Sequence, residues 1–199
     1  MTTIQFKIPV LLDLCFVWPF LLLRLITFGH LYRKIPLGEG RFTIVDPLRF
    51  YELNKFHWTI DGRDDCIYAV RHVVFADRGS RTLRMHREIM KAAPGVMIDH
   101  RNINTLDNRI ANLRPATRAQ NMHNRRKVRR KTTSPFIGVH LEKDRNLFRV
   151  NISHRGKKLY IGRFANEIDA ARAYDRAALK YHGEFARLNF PSEAKVPEK

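Results

Sequence analysis

Val96-Met-Ile-Asp-His-Arg-Asn-Ile-Asn-Thr-Leu-Asp-Asn-Arg-Ile-Ala-Asn-Leu113, continued by Arg114-Pro-Ala-Thr-Arg-Ala-Gln-Asn121, gathers a carboxylate, a histidine and several amides into one strand, one loop and one helix. Pro94-Gly95 signals a turn, after which Val96, Met97 and Ile98 read as a short buried strand. Asp99 and His100 come at its end, where the chain leaves the core. The loop that follows is rich in asparagine and aspartate, residues that bond their own backbone and stiffen turns. Thr117 and Gln120 stand at capping-box spacing, which predicts a helix starting there with Asn121 in its first turns.

That set of side chains suits metal-assisted hydrolysis of a phosphodiester. Asp99 offers a hard anionic oxygen and Asn121 a neutral one, a partial shell fitting Mg2+ or Mn2+ with water and substrate phosphate completing it. An imidazole has an ordinary pKa of about 6.5, so His100 is suited to take a proton from the attacking water. Asn112 is placed to hold that imidazole in one tautomer.

At these residues the chain resembles the HNH nuclease family, which has a ββα-metal fold. The segments Ile98-Asp-His100, Asp107-Asn108, Asn112-Leu113, Ala116-Thr117 and Gln120-Asn121 are similar to its phage homing-endonuclease branch, over roughly residues 83–126. The resemblance implies His100 as general base, Asp99 and Asn121 as metal ligands, and Asn112 as the residue positioning the base. His86, within Met85-His-Arg87, matches a histidine often found on the family's first strand and is a possible further site residue. Zinc-stapled relatives use cysteine pairs; with only Cys15 and Cys66 here, no structural zinc is expected, and two distant cysteines fit a reducing compartment.

The charge balance points to the same partner. Lys and Arg number 37 against 19 Asp and Glu, a formal net charge of +18, which favours a polyanion, most simply double-stranded DNA, over an acidic protein or a small-molecule substrate. The basic run 125–131, with Arg125, Arg126, Arg129 and Arg130, reads as a linker lying along phosphates.

Ile8 to Phe28 is nearly long enough to span a bilayer. Asp13 and Arg24 interrupt it, each costing about 2.5–3.5 kcal/mol at a membrane centre, and Pro19 is expected to break a helix. A signal peptide's basic start is thin, with Lys7 alone, and no small-residue cleavage site follows. The segment therefore reads as a dispensable extension of a cytoplasmic protein, with membrane attachment as the alternative.

From Lys34 onward the pattern is β-rich. Residues 35–45 read as two strands around a Gly-rich turn, and Asp46 with Pro47 starts a short helix to about Asn54. Residues 56–60 and 66–74 read as a hairpin turned by Asp61-Gly62-Arg63, and Thr82 to Ile89 as the nuclease motif's first strand. Phe50, Tyr51, Phe56, Trp58 and Tyr68 are assigned to the core.

Residues 136–190 form a second unit. Gly138 to Leu141, Leu147 to Ser153 and Lys158 to Gly162 read as three strands; the middle one alternates Phe148, Val150 and Ile152 with Arg149, Asn151 and Ser153. A helix capped by Asn166 follows, with Ala170, Tyr174, Ala177, Ala178 and Tyr181 on one face and Gly183 as its stop. Gly138-Val139, Tyr160-Ile-Gly-Arg-Phe164, Ala170-Ala-Arg-Ala-Tyr-Asp-Arg-Ala-Ala178 and Leu188-Asn-Phe-Pro191 resemble the AP2 DNA-binding domain. Its members lay a three-stranded sheet in the major groove, which implies His140, Arg149, Asn151, Ser153, Lys158, Tyr160 and Arg163 as DNA contacts. Ile137, His140 and Ser153 replace residues typical of plant members, so the plant target sequence does not carry over.

The expected class is α+β: an apolar extension (1–33), a β-rich lead-in (34–82), the nuclease motif (83–126), a basic linker (127–135), an AP2-type sheet on one helix (136–191) and a tail (192–199). The expected function is metal-dependent, nicking cleavage of duplex DNA by a monomer. The alternative is a DNA-binding regulator built on an inactive nuclease fold.

Overall fold

The computed structural model describes residues 10–28, 31–63, 66–75, 79–124 and 133–193. Its contacts divide the chain into two units, Met1–Arg114 and Pro115–Lys199. The division falls inside the expected nuclease motif rather than in the basic linker, most of which lies outside the described residues.

In the first unit, helix α1 (Val10–Phe28) runs through Pro19, where an interruption was expected. A proline removes one backbone donor, and the leucine-rich turns on both sides favour helix strongly enough to continue. Leu21 is buried, while Phe20, Leu22, Leu23, Leu25 and Ile26 are exposed. Among the described residues no helix is long and apolar enough to cross a membrane.

Strands β1 (Arg33–Gly38) and β2 (Arg41–Val45) form the expected hairpin, and α2 (Pro47–Leu53) the expected helix. β3 (Thr59–Arg63), β4 (Cys66–Phe75) and β5 (Gly79–Arg84) make an antiparallel sheet in the order β3-β4-β5. Asp61-Gly62-Arg63 is not the turn expected of it. Those residues pair in register with Tyr68, Ile67 and Cys66, so the strand extends through them. Gly62 is needed there for another reason: with φ +120° it lies against the facing strand, where a Cβ would sit 2.2 Å from the Cys66 carbonyl oxygen.

Residues 82–89 are not the single strand expected of them. Strand pairing stops at Arg84, opposite Val70, and the chain turns into a short helix, α3 (Met85–Ile89). Met85, His86 and Ile89 are all buried, at the spacing by which one turn of helix can turn them inward together; a strand would send neighbours to opposite faces. β6 (Met97–His100) then pairs with β7 (Leu113–Ala116), a strand not foreseen in the sequence, and α4 (Arg118–Asn124) follows. Thr117 and Gln120 make the reciprocal cap: the Thr117 N–H donates to Gln120 Oε1 (2.8 Å) and the Gln120 N–H to Thr117 Oγ1 (3.3 Å).

Ile35, Val45, Leu53, Trp58, Met85 and Ile98 anchor the core of this unit, with Phe50 and Phe56 packed on its margin. Trp58 donates its indole N–H to the Leu53 carbonyl (2.8 Å), and the guanidinium groups of Arg33 and Arg71 lie 3.8 Å over Phe50 and Phe56. Of the aromatic run expected in the core, Trp58 is buried and Phe50 and Phe56 pack against the core, whereas Tyr51 lies edge-on to Phe50 outside the core cluster and Tyr68 faces two histidines.

The second unit carries β8 (Val139–Glu142), β9 (Leu147–His154) and β10 (Lys157–Phe164) in the antiparallel order β10-β9-β8, backed by α5 (Glu167–His182). The Asn166 side chain accepts from the N–H groups of Ile168 and Asp169, as its capping position predicts. Val139, Val150, Ile152, Ala170, Ala171 and Ala178 form the core, the alanines letting helix and sheet approach closely. Buried Asp175 holds the closing segment, its carboxylate accepting from the N–H groups of Asn189 and Phe190 at 2.8 Å each.

Gly138 packs under the Tyr174 ring at φ +74°, where a Cβ would lie 2.1 Å from Tyr174 Cδ2 and 2.8 Å from the Asn151 carbonyl oxygen. Gly138→Ala is therefore expected to destabilise this unit by roughly 2–4 kcal/mol through backbone strain and overpacking. Amide exchange of α5 at increasing denaturant should show an earlier midpoint.

Candidate active site and sheet face

Asp99 and His100 close β6, and both are buried. Loop 101–112 arches from them to β7, and β2 holds it in place. Ile44 donates its N–H to the Leu106 carbonyl (2.9 Å) and accepts from the Asn108 N–H (2.8 Å). Thr43 Oγ1 donates to the Leu106 carbonyl (2.7 Å) and accepts from Asn108 Nδ2 (2.8 Å). Asp46 is the N-cap of α2, as expected, but its side chain makes no cap bond and instead accepts from the Ile110 N–H (2.8 Å). The β-rich lead-in is thus the frame on which the site loop hangs.

With its amide nitrogen committed to Thr43, Asn108 turns its oxygen to the imidazole: Oδ1 lies 3.2 Å from His100 Nε2. Asn112, expected to orient the base, is occupied in closing the loop. Its Oδ1 accepts from the Asn102 N–H (2.9 Å), and its Nδ2 donates to the Asp107 carbonyl (2.8 Å). Asp107 ties the same loop through Arg109, at 2.8 and 2.7 Å, and through Asn102 Nδ2 at 2.8 Å. Burial pushes the Asp107 carboxyl up, but the Arg109 and Asn102 bonds together with the Arg109 charge outweigh it, and the carboxyl ends below its usual range.

Buried His86 packs edge-on against His100, ring centroids 5.1 Å apart at 76°, and Tyr68 lies 5.3 Å from His86 with the Arg84 guanidinium over its ring. Burial, reinforced by His100 and by the charges of Arg84 and Arg87, lowers the His86 pKa from 6.5 to about 3. Burial also lowers the His100 pKa, against the opposing pull of Asn108, Asp99 and Asp107. Both rings are neutral near pH 7.

Asp99 faces Arg114 across the β6-β7 ribbon. Arg114 Nε and Nη2 donate to the same Asp99 oxygen, Oδ2, at 2.9 and 2.8 Å, and each side chain is only 5% exposed. Asn121 sits on α4, in the second unit. Within the first unit the structure brings His86 and His100 together and pairs Asp99 with Arg114. Asn108, Arg114 and Tyr68 are the side chains whose part in the site the sequence reading missed. Among the described residues, no group of three or more His, Cys, Asp or Glu side chains is arranged to hold a metal ion.

On the second unit's sheet, Arg149 and Arg163 converge on Glu142, at 3.2 and 2.6 Å, and Arg163 also lies over the Tyr160 ring. His140, Arg149, Asn151, Ser153 and Lys158 line one open groove. All seven sheet positions expected to contact DNA lie in this unit; Glu142 was not among them, and the register, which pairs it with Leu147, does not reveal it, because the two arginines reach it through their long side chains. Arg125, Arg126, Arg129 and Arg130 lie outside the described residues.

Residues 86–123 match the family model described as HNH endonuclease, so the site of β6, its loop and β7 falls within an HNH endonuclease domain match. The chain is also similar in part to proteins of Arabidopsis thaliana. An AP2-like ethylene-responsive transcription factor is 37% identical over 87 residues, 44% of this chain and 20% of the relative. The dehydration-responsive element-binding protein 2E is 50% identical over 48 residues, 21% of this chain and 20% of its own length. The chain spans about a fifth of the length of these relatives.

Because the folded protein keeps His86 neutral, its pKa is depressed relative to the unfolded chain. Its contribution to stability is complete above pH 6.5 and is lost as pH falls toward about 3. Below pH 6.5 the wild type should therefore lose stability faster than His86→Gln, by up to about 1.4 kcal/mol per pH unit. Urea midpoints of the two proteins measured from neutrality downward check this.

Proposed function

We propose that the protein is a divalent-metal-dependent endonuclease resembling the phage-type HNH homing enzymes, which nicks duplex DNA and is directed to it by its AP2-like second unit. The observation that carries this reading is a neutral, buried His100, oriented by Asn108 beside Asp99 within the residues that match the HNH endonuclease model. The second support is the +18 net charge, joined to similarity with AP2-like transcription factors.

The donor types assigned here, a carboxylate at Asp99 and an amide oxygen at Asn121, are those a hard cation takes together with water and phosphate. Bound there, Mg2+ or Mn2+ would polarise the phosphate and stabilise the leaving oxygen. Since Asn108 Nδ2 is donated to Thr43, its Oδ1 can only accept, and His100 then carries its proton on Nε2. Nδ1 is left as the lone-pair nitrogen that takes the proton of the attacking water. Asn112 acts one step back, fixing the loop that holds Asn108, and His86 backs the imidazole in a dry, neutral contact. One such site per chain implies one strand cut per binding event by a cytoplasmic monomer.

In the second unit, His140, Arg149, Asn151, Ser153, Lys158, Tyr160 and Arg163 meet the major groove, with the linker arginines 125, 126, 129 and 130 on phosphates. Phosphate neutralisation on this scale makes affinity fall steeply with salt.

A DNA-binding regulator with a silent nuclease fold is the second reading, favoured by the commitment of Asp99 to Arg114. Plasmid nicking separates the two. Mg2+- or Mn2+-dependent nicking that EDTA stops is expected. His100→Ala should reduce it by at least about a hundredfold, the size of a general-base contribution, with DNA binding unchanged. Wild-type nicking by that variant removes His100 as base, and its absence from the wild-type protein favours the regulator. The acid limb of the nicking rate should fall below pH 6.5, because the lowered pKa keeps His100 unprotonated to lower pH.

A further inference from the structure

The Asp99–Arg114 pair poses a problem that the proposed reaction does not solve by itself. Asp99 is the one carboxylate in the proposed ligand pair, yet its Oδ2 already receives two guanidinium hydrogen bonds, and both side chains are almost wholly out of solvent. A buried carboxylate without a counter-ion is strongly disfavoured, so a metal-free fold needs a cation at this spot. A divalent ion binding to the same carboxylate would meet the fixed positive charge of Arg114 a few ångströms away, in surroundings where water screens it poorly.

We propose that Arg114 is a positioning residue that stands in for the metal: it neutralises and orients Asp99 in the metal-free protein, and it sets metal affinity by competing for the carboxylate. The inference rests on the reading of Asp99 as a metal ligand. Its cause is local, since Arg114 stands on the strand paired with β6 and directs Nε and Nη2 at one Asp99 oxygen. That geometry makes the guanidinium a two-bond competitor, where a lysine ammonium would be a point charge. Arginine at this position is therefore a compromise, in which the fold is secured without metal and the metal is held less tightly than the donor set alone would hold it.

The test measures binding and stability with Mn2+ alone on the full chain, without DNA. Titration calorimetry of the wild type, Arg114→Met, Arg114→Lys and Asp99→Asn gives the affinities, and thermal unfolding with EDTA or saturating Mn2+ gives the linked stabilities. Arg114→Met is expected to bind Mn2+ at least about tenfold tighter than wild type, to melt lower in EDTA, and to gain more from Mn2+ than wild type does. Arg114→Lys is expected to fall between the two. Asp99→Asn should lose the binding altogether.

If Arg114→Met folds only when Mn2+ is present, the inference is supported. If it folds in neither condition, Arg114→Lys decides: tighter binding than wild type supports the stand-in role, and equal or weaker binding overturns it. Equal or weaker Mn2+ affinity in a folded Arg114→Met also overturns it. A different failure marks the underlying reading. Were Asp99→Asn to bind Mn2+ as well as wild type, the metal would not sit on Asp99, and both the ligand assignment and the inference would fall together.

Discussion

The site depends on one buried amide. Asn108 donates to Thr43, 65 residues earlier on β2, and turns its oxygen to the His100 ring. The orientation cannot be reversed without leaving Thr43 or His100 facing the wrong end of the amide, because oxygen accepts where nitrogen donates. Two strands far apart in the chain therefore agree on one imidazole geometry. The β-rich lead-in, otherwise an undistinguished scaffold, exists in this structure to hold that agreement: Ile44, Thr43 and Asp46 each bond the loop that carries Asn108.

Much of this architecture is legible in the sequence because its causes are local. Thr117 and Gln120 predict their own capping box, Asn166 its helix start, and the alternation around Val150 its sheet face. What the sequence hides are choices made by distant neighbours. Asn108 and Asn112 are both asparagines of one loop, and nothing nearby says which will meet the imidazole; the choice is made by Thr43. Gly62 carries a turn signal that strand pairing with Ile67 overrides. Residues 85–89 would serve a strand as well as a helix by composition, and the need to bury Met85, His86 and Ile89 together selects the helix. Arg114 reads as one more basic residue in a basic chain until the β6-β7 pairing sets it opposite Asp99.

The second unit shows the same division between local and distant causes. Its sheet and helix follow from pattern, whereas the need for Gly138 follows from Tyr174, and the hold on the closing segment follows from Asp175. On the outer sheet face the two arginines most suited to bidentate recognition share Glu142, whose carboxyl the Arg163 hydrogen bond, helped by the charges of Arg163 and Arg149, holds below its usual range against the opposing effect of desolvation. A carboxylate between two guanidinium groups fixes their spacing before any partner arrives, which lowers the ordering cost of binding.

The orientation of the His100 ring is the point on which the proposed chemistry turns, and it can be observed directly. Long-range proton–nitrogen correlation spectra of the histidine rings near neutral pH distinguish the two neutral tautomers. The expected spectrum shows His100 protonated on Nε2 and unprotonated on Nδ1, and shows that preference weakened in Asn108→Ala. A His100 ring protonated on Nδ1 in the wild-type protein, or one indifferent to the loss of Asn108, would contradict the arrangement.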